Sequence, residues 1–213
     1  MLTVASFSQS LKKSEYITLN FGEKNLKGSA VTLDFDRKKA FKAWWKYSRK
    51  FSRTQTFKDY LLHTIPPVEG ESTESLIFYS RVEKVNDSSS KVNAALAKNG
   101  MDDVNLRKYQ EQVENLLIDF RMNFYAKNLQ KKITETEKKA TKVSRTLDKQ
   151  ITKGYKLRQD LRKAESESSG EQVLAGLKEE LNVNQQNQNS ISLQLSDIQK
   201  NIDSYKKTMG EIK

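Results

Sequence analysis

The sequence predicts an α+β chain: a small mixed α/β head with antiparallel strands, followed by a long antiparallel α-helical coiled-coil hairpin. Three observations carry this. First, a mostly apolar seam recurs at alternating steps of three and four through Ala126, Leu129, Ile133, Thr136, Ala140, Val143, Leu147, Gln150, Gly154, Leu157, Leu161 and Ala164. The same steps run through Leu174, Leu177, Leu181, Asn184, Gln188, Ile191, Leu195, Ile198, Ile202, Tyr205, Met209 and Ile212. A repeat averaging 3.5 residues is the seam of a coiled coil. Second, the polar stretch Ser166–Gly170 separates the two runs, so they can fold back on each other. Third, three earlier segments alternate apolar and polar with the period of two that suits half-buried strands.

Folding the arms about Ser166–Gly170 pairs seam residues whose numbers sum to 338, so that Leu147 faces Ile191 and Ile133 faces Tyr205. Any two heptad arms can be mirrored in some register. More telling, the polar interruptions coincide: Gln150 falls opposite Gln188, and Gly154 opposite Asn184. Polar seam pairs set register at a cost in stability, and a glycine inside a helix costs roughly 1 kcal/mol against alanine. This zone is therefore a candidate bend or partner contact, the other reading being a tolerated weak layer. Under the pairing, replacing Gly154 with Ala and Asn184 with Leu together is expected to raise the melting temperature.

In chain order, residues 1–10 end a short apolar run in Ser6-Phe7-Ser8 before Gln9, a small-x-small pattern like that preceding a signal-peptidase cut. They read as the remnant of an export signal, which implies a periplasmic or otherwise exported protein; a cytoplasmic protein with an ordinary first strand is the alternative. Residues 11–125 form the head and 126–213 the hairpin. Glu15–Phe21 alternates as a strand, Gly22–Gly28 reads as a turn, and Ser29–Phe35 alternates again, giving a hairpin with a longer loop. Asp34 or Asp36 can cap a helix from Arg37 to about Phe51.

One side of that helix carries Ala40, Phe41, Trp44, Tyr47, Ser48 and Phe51, the pattern of a core face. The other carries cations, and no acid follows Asp36 until Asp59. Arg37, Lys38, Lys42, Lys46, Arg49 and Lys50, with Trp45 as the aromatic least explained by a core, are candidate contacts for nucleic acid or another polyanion. Phosphates attract Lys and Arg, while bases stack on rings.

Thr54–Ile65 fits a strand or a helix, and Pro66-Pro67 ends it either way. Val68–Thr73 reads as a loop and Ser75–Val85 as a strand. Asp87-Ser88-Ser89-Ser90 then reads as a turn and helix start, leading into a short helix Lys91–Lys98 that stops at Asn99-Gly100. Asp102 or Asp103 caps the next helix, whose broad stripe of Leu106, Tyr109, Val113, Leu116, Leu117, Phe120 and Phe124 should cover a sheet. Past Ala126 the same helix should leave the head and continue as a projecting arm of roughly 58 Å, at 1.5 Å per residue.

Composition narrows the function. The net charge of +11 is uneven, with 127–165 at +8 and 171–213 at −1. A basic arm suits an anionic partner, the alternative being lysines that merely solvate a long helix. No cysteine is present and His63 is the sole histidine, which removes disulfides and leaves no set of soft metal ligands. Calcium-loop and glycine-rich phosphate motifs are absent from the sequence, so no metal, cofactor or small-molecule substrate is inferred. No apolar run reaches the length of a membrane span. The expected class is a non-enzymatic structural or interaction protein binding or spacing a protein partner through the hairpin, with polyanion binding and homo-oligomer assembly as rivals.

Overall fold

A computed structural model describes residues 11, 13–21, 24–67, 75–97, 103–168 and 170–212. The export-signal reading of 1–10, the loop at 68–73, the stop at 99–100 and a cap by Asp102 lie outside the described residues. Six strands form one antiparallel sheet: β1 (Glu15–Phe21), β2 (Lys24–Leu33), β3 (Arg53–Thr56), β4 (Leu61–Ile65), β5 (Leu76–Asn86) and β6 (Ser89–Leu96). Their order across the sheet is β1-β2-β6-β5-β4-β3. Three helices accompany them: α1 (Arg37–Ser48), α2 (Asp103–Ser166) and α3 (Glu171–Ile212). The expected α+β class holds. The chain divides into two compact units, Met1–Lys127 with Glu211–Lys213, and Asn128–Gly210.

In the first unit, α1 and the opening third of α2 pack on one sheet face. Register places Phe78, Ser80 and Val82 of β5 beside Leu96, Ala94 and Val92 of β6 on that face, and Val31 of β2 beside Val92. Against them lie Trp44 and Phe120, their rings edge to face at 5.0 Å. Both are buried, as are Val113, Leu117 and Phe124. Asp36 is the residue that caps α1, its Oδ1 accepting the Lys39 amide at 2.9 Å. The helix ends at Ser48, one turn short of the expected Phe51.

Three expectations change. The loop between β1 and β2 is shorter than the turn read at Gly22–Gly28, since β2 already starts at Lys24 and pairs it with Phe21. Thr54–Ile65 is neither one strand nor one helix but the hairpin β3–β4, closed at Phe57–Tyr60 by a Phe57 N–H to Tyr60 carbonyl bond of 2.9 Å. Lys91–Lys98 is not a helix. It lies largely within β6, which pairs with β5 on one side and β2 on the other. Alanine favours helix when packing does not decide, but here Val92 through Ala97 are all buried, and a central strand buries both faces. Its approach to β2 is close: a Cβ on Gly28 would come within 2.8 Å of the Ala95 Cβ.

The second unit is the helical hairpin. Between Asn128 and Gly210 every heptad seam position named by sequence is buried or half-buried, and nearly all others are exposed. Ile133, Leu157, Ala164, Ile198 and Ile202 are among the most enclosed. The turn holds Ser168 at φ 53°, in the left-handed region. Such a residue ends a helix by turning its chain away from the axis.

Candidate functional site

The side chains singled out by sequence fall into one set on the head and one on the hairpin. On α1, Arg37, Lys38, Lys42 and Lys46 are exposed, as are Arg49 and Lys50 in the turn just after it. Trp45 is half-buried, with the Arg49 guanidinium 4.4 Å from the centre of its indole. The core reading is right for Trp44, and the Trp45 ring is used by a cation instead. Arg37 Nε donates to the Val82 carbonyl at 2.8 Å, tying the first turn of α1 to β5. Arg37 and Lys38 also line an open cleft of about 500 Å³ with Phe41, Phe57, Lys58 and Tyr60. Phe57 and Tyr60 stack at 4.7 Å on the β3–β4 turn. Lys42, Trp45, Lys46, Arg49 and Lys50 are not part of that cleft.

The four hairpin residues do meet. Asn184 Nδ2 donates to the Gln150 carbonyl at 3.1 Å and to Gln150 Oε1 at 2.8 Å. Gln188 Nε2 donates to the same carbonyl at 3.2 Å and to Asn184 Oδ1 at 2.7 Å. Gly154 leaves the room for this cluster, because a Cβ there would lie 2.5 Å from Asn184 Oδ1 and 2.9 Å from Gln188 Nε2. The coincident polar positions form a bonded network that locks the two arms in one register, since a one-heptad slip would strand these amides among leucines.

His63 has the partners of a catalytic dyad but not the access. Trp44 Nε1 donates to Ser80 Oγ at 2.8 Å, Ser80 Oγ lies 2.7 Å from His63 Nε2, and Thr54 Oγ1 lies 3.1 Å from His63 Nδ1. The Ser80 hydroxyl thus bridges the indole and the imidazole, whose other nitrogen faces Thr54 and Ser52. His63, Ser80 and Trp44 are fully buried, so no substrate reaches them. Burial also pushes the imidazole pKa down to about 3, keeping the ring neutral. The group is a structural polar bridge between β4, β5 and α1. Among the described residues no three His, Asp or Glu side chains converge as a metal site would require.

Sequence reasoning missed two features. Arg121 is buried and donates to the Leu11 and Lys13 carbonyls, with desolvation lowering its pKa. An arginine within a charged helix carries no signal of burial. Exposed apolar side chains on the hairpin also went unnoticed: Ile151 and Tyr155, one turn apart on α2, and Val183 and Leu193 on α3. They lie off the seam, and the heptad pattern that found the seam hides them.

The lysines of α2 have a pattern of their own. Lys142, Lys149, Lys156 and Lys163 recur every seven residues and are exposed, which places them in one ridge along the helix. Lys139 and Lys153 are exposed beside it. A scan against protein-family models finds none that matches the chain, and a search of curated proteins returns no match.

Proposed function

We propose that this protein is a non-enzymatic interaction protein, exported to the cell envelope, whose hairpin binds a partner protein through the basic outer ridge of α2. The observation that carries the reading is the lysine ridge Lys142, Lys149, Lys156 and Lys163, exposed on an arm whose apolar side is consumed by its own seam. Helix solvation needs charge of either sign, and mixed charges serve it better. A ridge of one sign is instead suited to an acidic surface, where it speeds encounter and fixes orientation. The export component rests on the Ser6-Phe7-Ser8-Gln9 ending.

Capture with the full chain tests this. Lys142→Glu/Lys149→Glu/Lys156→Glu should lose acidic binding partners that the parent retains, with helix content unchanged. Equal capture by both proteins would show that the ridge does not bind them.

A second reading, polyanion binding through α1, is favoured by the exposed cations Lys38, Lys42, Lys46, Arg49 and Lys50. Counterion release gives the discriminating measurement. Affinity for single-stranded nucleic acid falling steeply with salt, and falling further in Lys42→Ala/Lys46→Ala, would support it. A weak, salt-insensitive interaction would not.

A further inference from the structure

We infer that the outer face of α3 is a self-complementary surface that takes a second copy of this chain, the two α3 helices lying antiparallel. This does not depend on the partner reading above, since it uses the opposite arm. Between Glu180 and Asp197 lie sixteen residues without a charge, in a chain that is 31% charged. Leu181, Asn184, Gln188, Ile191 and Leu195 of this stretch face the seam, and the remaining eleven are exposed. An exposed helix normally remains solvated through Lys and Glu on its outer face. Here that face is made of Asn, Gln and Ser with Val183 and Leu193, the latter 70% exposed.

The positions farthest from the seam form a stripe at seven-residue spacing: Gln172, Glu179, Gln186, Leu193, Lys200 and Lys207. Read along the helix it has an acid in its first half, an uncharged centre and two bases in its second half. Laid against its own reversed copy, it places Glu179 opposite Lys200 of the other copy twice, and Gln186 opposite Leu193 twice. A two-fold contact requires a surface to complement itself in this way. Carboxamides suit it, each being both donor and acceptor.

Two further facts agree. Gly176 lies inside α3 with nothing within 4 Å of where its Cβ would be. The hairpin therefore does not explain a residue that weakens a helix by about 1 kcal/mol, whereas a second helix laid across it would. Ala175, Ser190, Ser196 and Ser204 flank the stripe and allow that approach. Charge also selects the face: meeting through α2 would oppose two arms of +8, whereas meeting through α3 keeps those arms apart.

Sedimentation of the full chain over a wide concentration range tests the inference, with circular dichroism confirming helix content in each variant. The parent should show a concentration-dependent dimer. Glu179→Lys and Lys200→Glu should each raise its dissociation constant about tenfold, or roughly 1.4 kcal/mol, and the double exchange E179K/K200E should restore it. Leu193→Lys should leave a folded monomer. A parent that is monomeric throughout, or a dimer indifferent to Leu193→Lys, overturns the inference. A dimer that the double exchange fails to restore overturns the antiparallel register.

Discussion

His63 shows how one residue can couple the head to pH. Its ring is neutral in the fold, with a pKa near 3, against 6.5 when unfolded. Between those values the unfolded chain binds a proton that the folded chain does not, so stability is fully present above pH 6.5 and is lost as pH falls. The loss approaches ~1.4 kcal/mol per pH unit. The window from pH 6.5 to 5 isolates it, because ordinary carboxylates stay ionised there. Chemical denaturation of the parent should show that slope. His63→Gln should be less stable at pH 7 and nearly flat across the window; a parent already flat there would show that His63 is protonated in the fold. Gly154 makes a second residue-scale case, where local propensity and packing oppose each other. Alanine favours the helix by about 1 kcal/mol, yet its Cβ would displace Asn184 Oδ1 from a bonded network. Gly154→Ala alone should therefore lower the melting temperature, while Gly154→Ala with Asn184→Leu should exceed the parent. Additive effects of the two changes would deny their contact.

Among the elements, the turn between α2 and α3 contains the clearest stored cost. Ser168 sits at φ 53°, where an L-residue is disfavoured by roughly 1–2 kcal/mol and glycine is not. Ser168→Gly should stabilise the hairpin by about 1 kcal/mol, less the entropy that glycine adds to the unfolded chain. A fall in hairpin melting temperature would indicate that the serine side chain contributes more than its backbone costs. The strands show where local pattern suffices and where it fails. β1 and β5 have one clearly polar face in sequence, and alternation located them. β6 is central, with Val92, Asn93, Ala94 and Ala95 all buried, so it offers no alternation and its alanines imitate a helix. β3 and β4 are too short for a period to form before the Phe57–Tyr60 turn interrupts it.

For the whole molecule, the hairpin was legible because a seam is one-dimensional: steps of three and four fix which residues are enclosed, and the register follows from the turn. The polar quartet Gln150, Gly154, Asn184 and Gln188 was legible for the same reason. The network around His63 was not, because Ser80, Trp44 and Thr54 come from distant parts of the chain and meet only through sheet order. The outer face of α3 between Glu180 and Asp197 was not legible, because a run without charge carries meaning only where those positions are exposed. Residues 128–210 close as an antiparallel hairpin in the register that joins Gln150 to Asn184 and Gln188. The native chain has no cysteine, so an introduced pair is the sole thiol pair. Leu147→Cys/Ile191→Cys should oxidise rapidly to a disulfide within one chain, while Leu147→Cys/Ile198→Cys, displaced by a heptad, should not. Equal oxidation of both pairs, or cross-linking only between chains, would rule out that register.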